Sequence, residues 1–162
     1  MKKFAKTLAF GLALLATGAM SLGIANAAEP AQHQNILTNG SIASAQGNDK
    51  VFTGDVRIDR IFRNEDMSNT SVTFEPGART AWHYHPKGQL LIVTSGFGLT
   101  QEWGQPIKEL HAGDIVWCPP NVKHWHGGGY QTAMTHISVS LFENGKNVTW
   151  LDKVTDKEYQ GK

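Results

Sequence analysis

The chain has 162 residues, 15 Lys and Arg against 14 Asp and Glu, and 40% hydrophobic residues. This balanced charge leaves no basic stripe to neutralise phosphates, so a nucleic-acid partner is not expected. Cys118 is the only cysteine, which excludes an intrachain disulfide. Because it lies in an apolar run, a small buried side chain is favoured there over a catalytic thiol.

The first 27 residues have the three-part pattern of a bacterial secretory signal. Three lysines stand within the first six residues, an apolar run follows, and Ala25-Asn26-Ala27 supplies small residues around a cleavage point. The run is shorter than the roughly 20 residues of a membrane span. The protein is therefore predicted to be periplasmic or secreted, with no membrane association after residues 1–27 are removed, and with 12 of its 15 basic residues left against 14 acidic ones.

The remainder divides into a lead-in and one domain. Residues 28–48 are rich in Ala, Gln, Asn, Ser and Gly and predict a flexible lead-in. In residues 49–162, short segments rich in β-branched and aromatic residues alternate with Gly, Pro and Asn, which is typical of an all-β sandwich or barrel. Two of these strands, residues 89–94 and 98–103, are expected to be separated by a turn. Only residues 155–159 are predicted to be helical, with Thr155 as the cap.

One predicted strand is apolar on both faces. Leu90-Leu91-Ile92-Val93 shows no alternation of polar and apolar residues. One face can meet the interior of a barrel, and a second subunit is the simplest cover for the other. We therefore expect a homo-oligomer, either a dimer or a tetramer.

Histidines provide the candidate chemistry. His83 and His85 share one face of a predicted strand, since side chains alternate with a period of two. A turn containing proline and glycine then allows Gln89 to join them, and His124 follows a second such segment, with His126 two residues later. Three imidazoles and an amide oxygen suit a divalent first-row metal. Taken alone, the pair His83 and His85 could equally be solvent-facing residues of an ordinary strand.

The spacing of these residues resembles that of the cupins. The intervals of the first cupin motif are matched by Gly77, His83, His85, Gln89 and Gly96, and those of the second by Gly113, Pro119 and His124. The resemblance extends from about residue 51 to residue 151. It implies a double-stranded β-helix, also called a jelly-roll barrel, with a divalent metal inside.

Three positions depart from the cupin pattern. Gln89 replaces the usual glutamate, Asn121 the glycine of the second motif, and Gly128 its closing asparagine. An amide in place of a carboxylate makes the ligand set neutral, so the metal keeps its full charge. Such a centre should be the stronger Lewis acid.

A narrower resemblance is carried by residues 71–83, Gly88-Gln89, residues 124–127 and residues 132–136. These segments are similar to the small bacterial manganese-dependent cupins that act as hydroxynitrile lyases. The resemblance implies manganese, or Fe, Ni, Zn or Co, at His83, His85, Gln89 and His124, and a proton-transfer role for His136. It also implies that cyanohydrins are cleaved or formed, as in mandelonitrile to benzaldehyde and hydrogen cyanide, by Lewis-acid activation of the hydroxyl.

Two other functions stay open from sequence. One is a metal-dependent cupin dioxygenase or other oxidoreductase, since four protein ligands leave two positions on a six-coordinate metal. The other is a non-catalytic periplasmic cupin that binds a small molecule.

Strand alternation extends the site beyond the ligands. His136 shares a strand face with Ser138 and Ser140, and such a polar set needs partners or a cavity because unpaired buried polar groups cost about 1 to 3 kcal/mol each. Thr70 and Val72 are further pocket candidates. A satisfied core histidine is the alternative for His136, and His126 either takes part in the chemistry or orients a ligand. The tryptophans that flank the motifs are candidates to wall the pocket: Trp82, Trp117 and Trp125.

Overall fold

The computed structural model describes residues 33–38 and 40–162. Residues from Ile36 onward form one compact unit. The predicted signal segment, residues 1–27, lies outside the described residues. In the part of the chain that is described, no helix has the length and apolar character needed to cross a membrane.

The regular secondary structure of the compact unit is almost entirely antiparallel strand, which confirms the predicted all-β fold. The elements in chain order are β1 (Ser44–Gln46), β2 (Phe52–Thr53), β3 (Val56–Arg63), β4 (Met67–Phe74), β5 (Arg79–Thr80), β6 (His83–Tyr84), β7 (Gln89–Glu102), β8 (Lys108–His111), β9 (Ile115–Cys118), β10 (His124–Gly128), β11 (Met134–Leu141), β12 (Thr149–Trp150) and α1 (Asp156–Tyr159). The main path of the sheet runs β1-β3-β4-β11-β7-β10-β5-β2.

Strand β7 joins the two halves of the curled sheet. Its first part pairs with β11 and β9, and its second part pairs with β10 and β8. The turn predicted between residues 94 and 98 is therefore wrong. Gly96 has a φ of 77° there, and the pairing with β11 shifts register nearby, so the chain bends and changes partners without reversing.

The sheet begins earlier than the predicted domain start at residue 49. Within the predicted lead-in, β1 pairs with β3, and Ser44 Oγ donates a hydrogen bond to Asp59. All three β1 residues are exposed. Backbone hydrogen bonds hold this short edge strand in place, so it needs no apolar side chains. Its sequence therefore lacks the apolar pattern that would have predicted a strand.

Two buried clusters support the sheet. One is built on Phe74, Val93 and Met134, and the other on Trp125, Val154 and Tyr159. The second cluster binds the C-terminal segment to the barrel. Thr155 caps α1 in a reciprocal capping box with Glu158, as the sequence predicted.

Candidate metal centre

The structure brings His83, His85 and His124 together in the barrel interior. One ring nitrogen from each lies within 4.8 Å of the others, and all three residues are buried. His83 lies opposite His124 in the β6–β10 pairing. The expected single strand through His85 is not observed, since β6 ends at Tyr84. His85 nevertheless reaches the same place, with its ring centroid 5.2 Å from that of His83.

Backbone carbonyls fix which nitrogen of each ring faces the centre. An imidazole whose Nδ1–H is committed to a carbonyl presents the lone pair of Nε2 to a metal. The Nδ1 atoms of His83, His85 and His124 donate to the carbonyl oxygens of Ala81, Asn147 and Val122 at 2.9, 2.6 and 2.9 Å. His85 Nε2 is buried without a protein partner in the described chain. These three rings are arranged as ligands.

Gln89 completes the donor set through its amide oxygen. Its Nε2 donates to Ser138 Oγ at 2.9 Å, and its Oε1 lies 3.1 Å from His124 Nε2. Since His124 carries its proton on Nδ1, the two facing atoms are both acceptors, which is unfavourable unless a cation sits beside them. Metal–ligand bonds of about 2.0 to 2.2 Å at right angles place neighbouring donor atoms about 3 Å apart. The residues therefore fit a divalent metal.

Burial keeps these histidines in the form that binds metal. Desolvation lowers the pKa of His83 well below its usual value, with neighbouring imidazoles adding to the effect. Desolvation likewise lowers the pKa of His85 to about 4 and also lowers the pKa of His124. All three are neutral near pH 7, so no proton has to be displaced before a metal binds.

A second pair of histidines lies beside the donor set. The Nε2 of His136 and the Nδ1 of His126 are 3.1 Å apart and share one hydrogen bond. The other two nitrogens, His126 Nε2 and His136 Nδ1, are buried without a partner in the described residues. Desolvation lowers the pKa of His136 to about 4 and that of His126 well below its usual value. Both values lie below the pKa near 6.5 of an unperturbed imidazole.

The ligand-orienting alternative for His126 gains no support from its contacts, because its hydrogen-bond partner is His136 and not a ligand. Its ring centroid lies 5.2 Å from that of His83, and the two rings meet edge to face.

One cavity of about 400 Å³ is lined by all but one of the predicted site residues. The exception is His124, which lines a smaller cavity beside it. Its volume is within the range of about 300 to 1,000 Å³ typical of small-molecule sites. The predicted residues that line it are Thr70, Val72, His83, His85, Gln89, His126, His136, Ser138 and Ser140. The pocket candidates of β4 and β11 share the cavity face because both strands are regular over these positions.

Sequence reasoning missed several residues of the cavity. Phe52, Phe74 and Trp150 supply aromatic wall, and Asn147 supplies both lining and the carbonyl that orients His85. Gln46 and Asn48 come from the segment predicted as a flexible lead-in. Their polar local sequence gives no sign of a cavity, since only the pairing of β1 with β3 brings them there.

The three tryptophans expected near the pocket lie elsewhere. Trp82 and Trp125 are buried in the cluster that holds the C-terminal segment, and Trp117 is exposed on the outer face of β9. The tryptophan that lines the cavity is Trp150, whose ring centroid lies 4.8 Å from that of His83. The expectation that they wall the pocket is therefore wrong for all three.

Neither of two other features competes with this centre. A wider groove of about 640 Å³ beside Trp103 and Tyr130 has no histidine or cysteine in its lining. Cys118 is buried, and desolvation raises the pKa of its thiol to about 12. A thiol with so high a pKa is not a nucleophile near neutral pH, as the sequence predicted.

Comparisons with known proteins agree with this geometry. Residues 70–139 match the family model of the cupin domain. The chain is 52% identical over 124 residues to the (R)-mandelonitrile lyase of Granulicella tundricola, covering 75% of this chain and 95% of that protein.

Two solved structures extend the comparison. A cupin-like protein from Thermotoga maritima superposes with a TM-score of 0.69 at 40% identity, over 79% of this chain and 96% of that one. The polyketide cyclase RemF from Streptomyces resistomycificus shares the fold alone, with a TM-score of 0.64 at 12% identity, over 79% and 92% of the two chains. The barrel, the clustered histidines and these relatives together show that the chain belongs to the cupin family.

Proposed function

We propose that the protein is a metal-dependent cupin lyase that cleaves or forms cyanohydrins of the mandelonitrile type. One observation carries the proposal: a neutral histidine pair with unpartnered nitrogens lines the same cavity as three of the four uncharged candidate donors, His83, His85 and Gln89. The 52% identity to a protein named (R)-mandelonitrile lyase supports it. The ligands would be His83, His85, Gln89 and His124, with manganese as the proposed metal.

The uncharged donor set suits Lewis-acid chemistry. When bound, a divalent cation supplies positive charge that lowers the pKa of a nearby hydroxyl. Three neutral imidazoles and an amide leave that charge uncompensated, whereas a carboxylate ligand would cancel part of it. The role of Ser138 is to hold the Gln89 amide so that its oxygen points at the centre.

His136 would move the proton. With its Nε2–H donated to His126 Nδ1, its Nδ1 is free to accept the proton of the substrate hydroxyl. The bond between the carbinol carbon and the nitrile carbon then breaks, its electron pair leaves on cyanide, and the C=O double bond forms. His136 Nδ1 returns the proton to cyanide, so the products are an aldehyde and hydrogen cyanide.

The lowered pKa of His136 shapes this role. A group with a pKa of about 4 is unprotonated at rest near pH 7, so it is ready to accept a proton. Once protonated inside an apolar environment it releases the proton readily. His126 lowers the cost of the intermediate state, because its Nδ1 accepts the hydrogen of the protonated ring.

The cavity walls fit an aromatic substrate. Phe74 packs against both histidines of the pair, with centroid separations of 5.7 Å to His126 and 5.6 Å to His136. Phe52 contacts both Phe74 and Trp150, at 6.3 and 5.7 Å. The cavity of about 400 Å³ that these rings line offers a further ring offset or edge contacts with them. Thr70 and Ser140 would add hydroxyls beside it.

The test measures benzaldehyde release from mandelonitrile by manganese-loaded protein against a metal-free sample. We expect release only from the loaded protein. His136→Asn should reduce it by about 100- to 10,000-fold, whereas the control His111→Asn, which changes an exposed histidine of β8, should not. Equal rates with and without metal would refute the proposal. Oxygen uptake recorded in the same assay separates cyanohydrin cleavage, which consumes none, from a dioxygenase.

The outer face of the sheet supports a homodimer, which we propose as the form of the enzyme in solution. Apolar residues of β9, β7 and β11 stand opposite one another there: Trp117 beside Leu90, Ile115 beside Ile92, and Ile137 and Val139 on the far side. Ile115 is 68% exposed and Trp117 is 56% exposed in the single chain. A continuous apolar patch of this kind on one subunit suits a second copy.

Sedimentation tests the dimer with a matched pair of variants. Trp103 is also 56% exposed but lies outside this patch. Trp117→Glu should yield monomer, and Trp103→Glu should leave the dimer intact. A wild-type protein that is monomeric at high micromolar concentration would contradict the proposal.

A further inference from the structure

The mouth of the metal cavity carries two arginines that the proposed reaction does not use. Arg60 and Arg63 both belong to β3, and both line the cavity. Three positions apart in a regular strand, they would point to opposite faces of the sheet. Their shared direction therefore needs a local explanation.

A β-bulge provides it. In the pairing of β3 with β4, Arg60 stands opposite Thr70 and Arg63 opposite Ser68, with a register shift between Arg60 and Phe62. The extra residue restores the alternation, so that Arg63 joins the cavity face while Phe62 turns outward. Bulges commonly re-aim side chains at the rims of barrels and beside active sites.

Both guanidinium groups are available to a ligand. Neither forms an ion pair within the described part of the chain, where the arginines that do are Arg57 and Arg79. The guanidinium of Arg63 lies 4.6 Å from the centroid of the Phe142 ring, which restricts its position without neutralising it. Arg60 and Arg63 are exposed at the mouth, where an entering anion meets them first.

Nothing acidic opposes them in this cavity. Its described lining contains the two arginines, neutral histidines, amides, hydroxyls and apolar groups, but no Asp or Glu. Ser68, which stands opposite Arg63, also lines the cavity and adds a hydroxyl there. A carboxylate accepts hydrogen bonds from a guanidinium fork in a geometry that few other groups match.

We infer that the cavity takes an aromatic substrate that carries a carboxylate, with the carboxylate at Arg60 and Arg63. Its hydroxyl or carbonyl lies at the inner end beside Gln89 and His136, and its ring lies against the aromatic wall formed by Phe52 and Trp150. The inference rests on the proposed function only in using this cavity as the substrate site. It does not depend on which bond is broken there.

Binding measurements on metal-loaded full-length mature protein test this directly. The probe is 4-(hydroxymethyl)benzoate, and its methyl ester is the neutral counterpart. We expect the wild type to prefer the acid about 10-fold or more, and the preference to fall by about 5- to 30-fold in Arg60→Gln/Arg63→Gln. Added salt should also reduce it, since these charges are exposed.

Arg57→Gln is the matched control. It removes a cation from the same strand, but on the outer face, where Arg57 contacts Asp59 and Thr73. Its preference for the acid should equal that of the wild type, and bound metal should be unchanged in every variant. Equal affinity for acid and ester in the wild type would overturn the inference. So would a preference that survives loss of both arginines, since the carboxylate would then be held elsewhere.

The outcome is separable from the lyase test. Arginine-dependent binding without mandelonitrile cleavage would keep this inference and refute the proposed reaction. Cleavage without arginine-dependent binding would do the reverse.

Discussion

Ser138→Ala removes the hydroxyl that accepts a hydrogen bond from the Nε2 group of the Gln89 amide. The hydroxyl of Ser138 accepts a hydrogen bond of 2.9 Å from Gln89 Nε2, and Gln89 is only 5% exposed. Without that acceptor, no hydrogen bond from Nε2 keeps the amide oxygen of Gln89 directed at the metal centre. The substitution therefore tests whether Gln89 is a ligand and whether Ser138 positions it.

Two effects of different size are expected. An unpartnered buried N–H costs about 1 to 3 kcal/mol, which should appear in the free energy of unfolding of the metal-free protein. Loss of a residue that orients a ligand lowers metal affinity by about 10- to 100-fold. The loss of metal affinity should appear as a higher metal dissociation constant, measured by competition with a chelator at fixed pH. This increase should be larger than that of a control variant.

Ser71→Ala is that control, since Ser71 lies on neighbouring β4 opposite Ile137 and faces away from the cavity. It should change neither quantity appreciably. If Ser138→Ala lowered the free energy of unfolding but left the metal dissociation constant within about twofold of wild type, Gln89 would not be a ligand held by Ser138.

Three other outcomes are expected. His136→Asn should reduce mandelonitrile cleavage by about 100- to 10,000-fold with metal content retained, and a loss below tenfold would exclude it as the acid–base group. Metal-free protein should become less stable as the pH falls from about 6.5 towards 4, because the unfolded chain binds protons at about 6.5 while burial holds the pKa of His85 and His136 at about 4. Each contributes up to about 1.4 kcal/mol per pH unit, fully present above pH 6.5, so a flat denaturation profile between pH 7.5 and 5 would contradict this. Mass spectrometry of the exported protein should find Ala28 at the N-terminus, and retention of Met1 in the cytoplasm would contradict the predicted signal.

The cluster of candidate metal donors could be predicted because its signal is local. His83, His85 and Gln89 are separated by only a few residues. Over so short a distance, a strand or a tight turn largely fixes where each side chain points. Thr70 and Ser138 could be predicted for the same reason, since regular strands alternate faces. Where the chain is irregular, alternation fails: β6 ends before His85, and β7 continues through the expected turn.

The pKa values and the second half of the cavity depended on tertiary structure. Sequence shows that His136 is a histidine, but only its complete burial beside His126 lowers its pKa to about 4. Trp150 and Gln46 reach the cavity from distant parts of the chain, through pairings that leave no pattern in the local sequence.

The sequence by itself determined the family, the barrel and the uncharged donor set, because residue type and short-range spacing specify them. Only the tertiary structure decided what surrounds that set. The bulge in β3 brings Arg60 and Arg63 to one face, and the absence of acidic residues from the described cavity lining leaves their charge uncompensated. Both follow from long-range strand pairing, which depends on the energy of the whole sheet and not on any one segment.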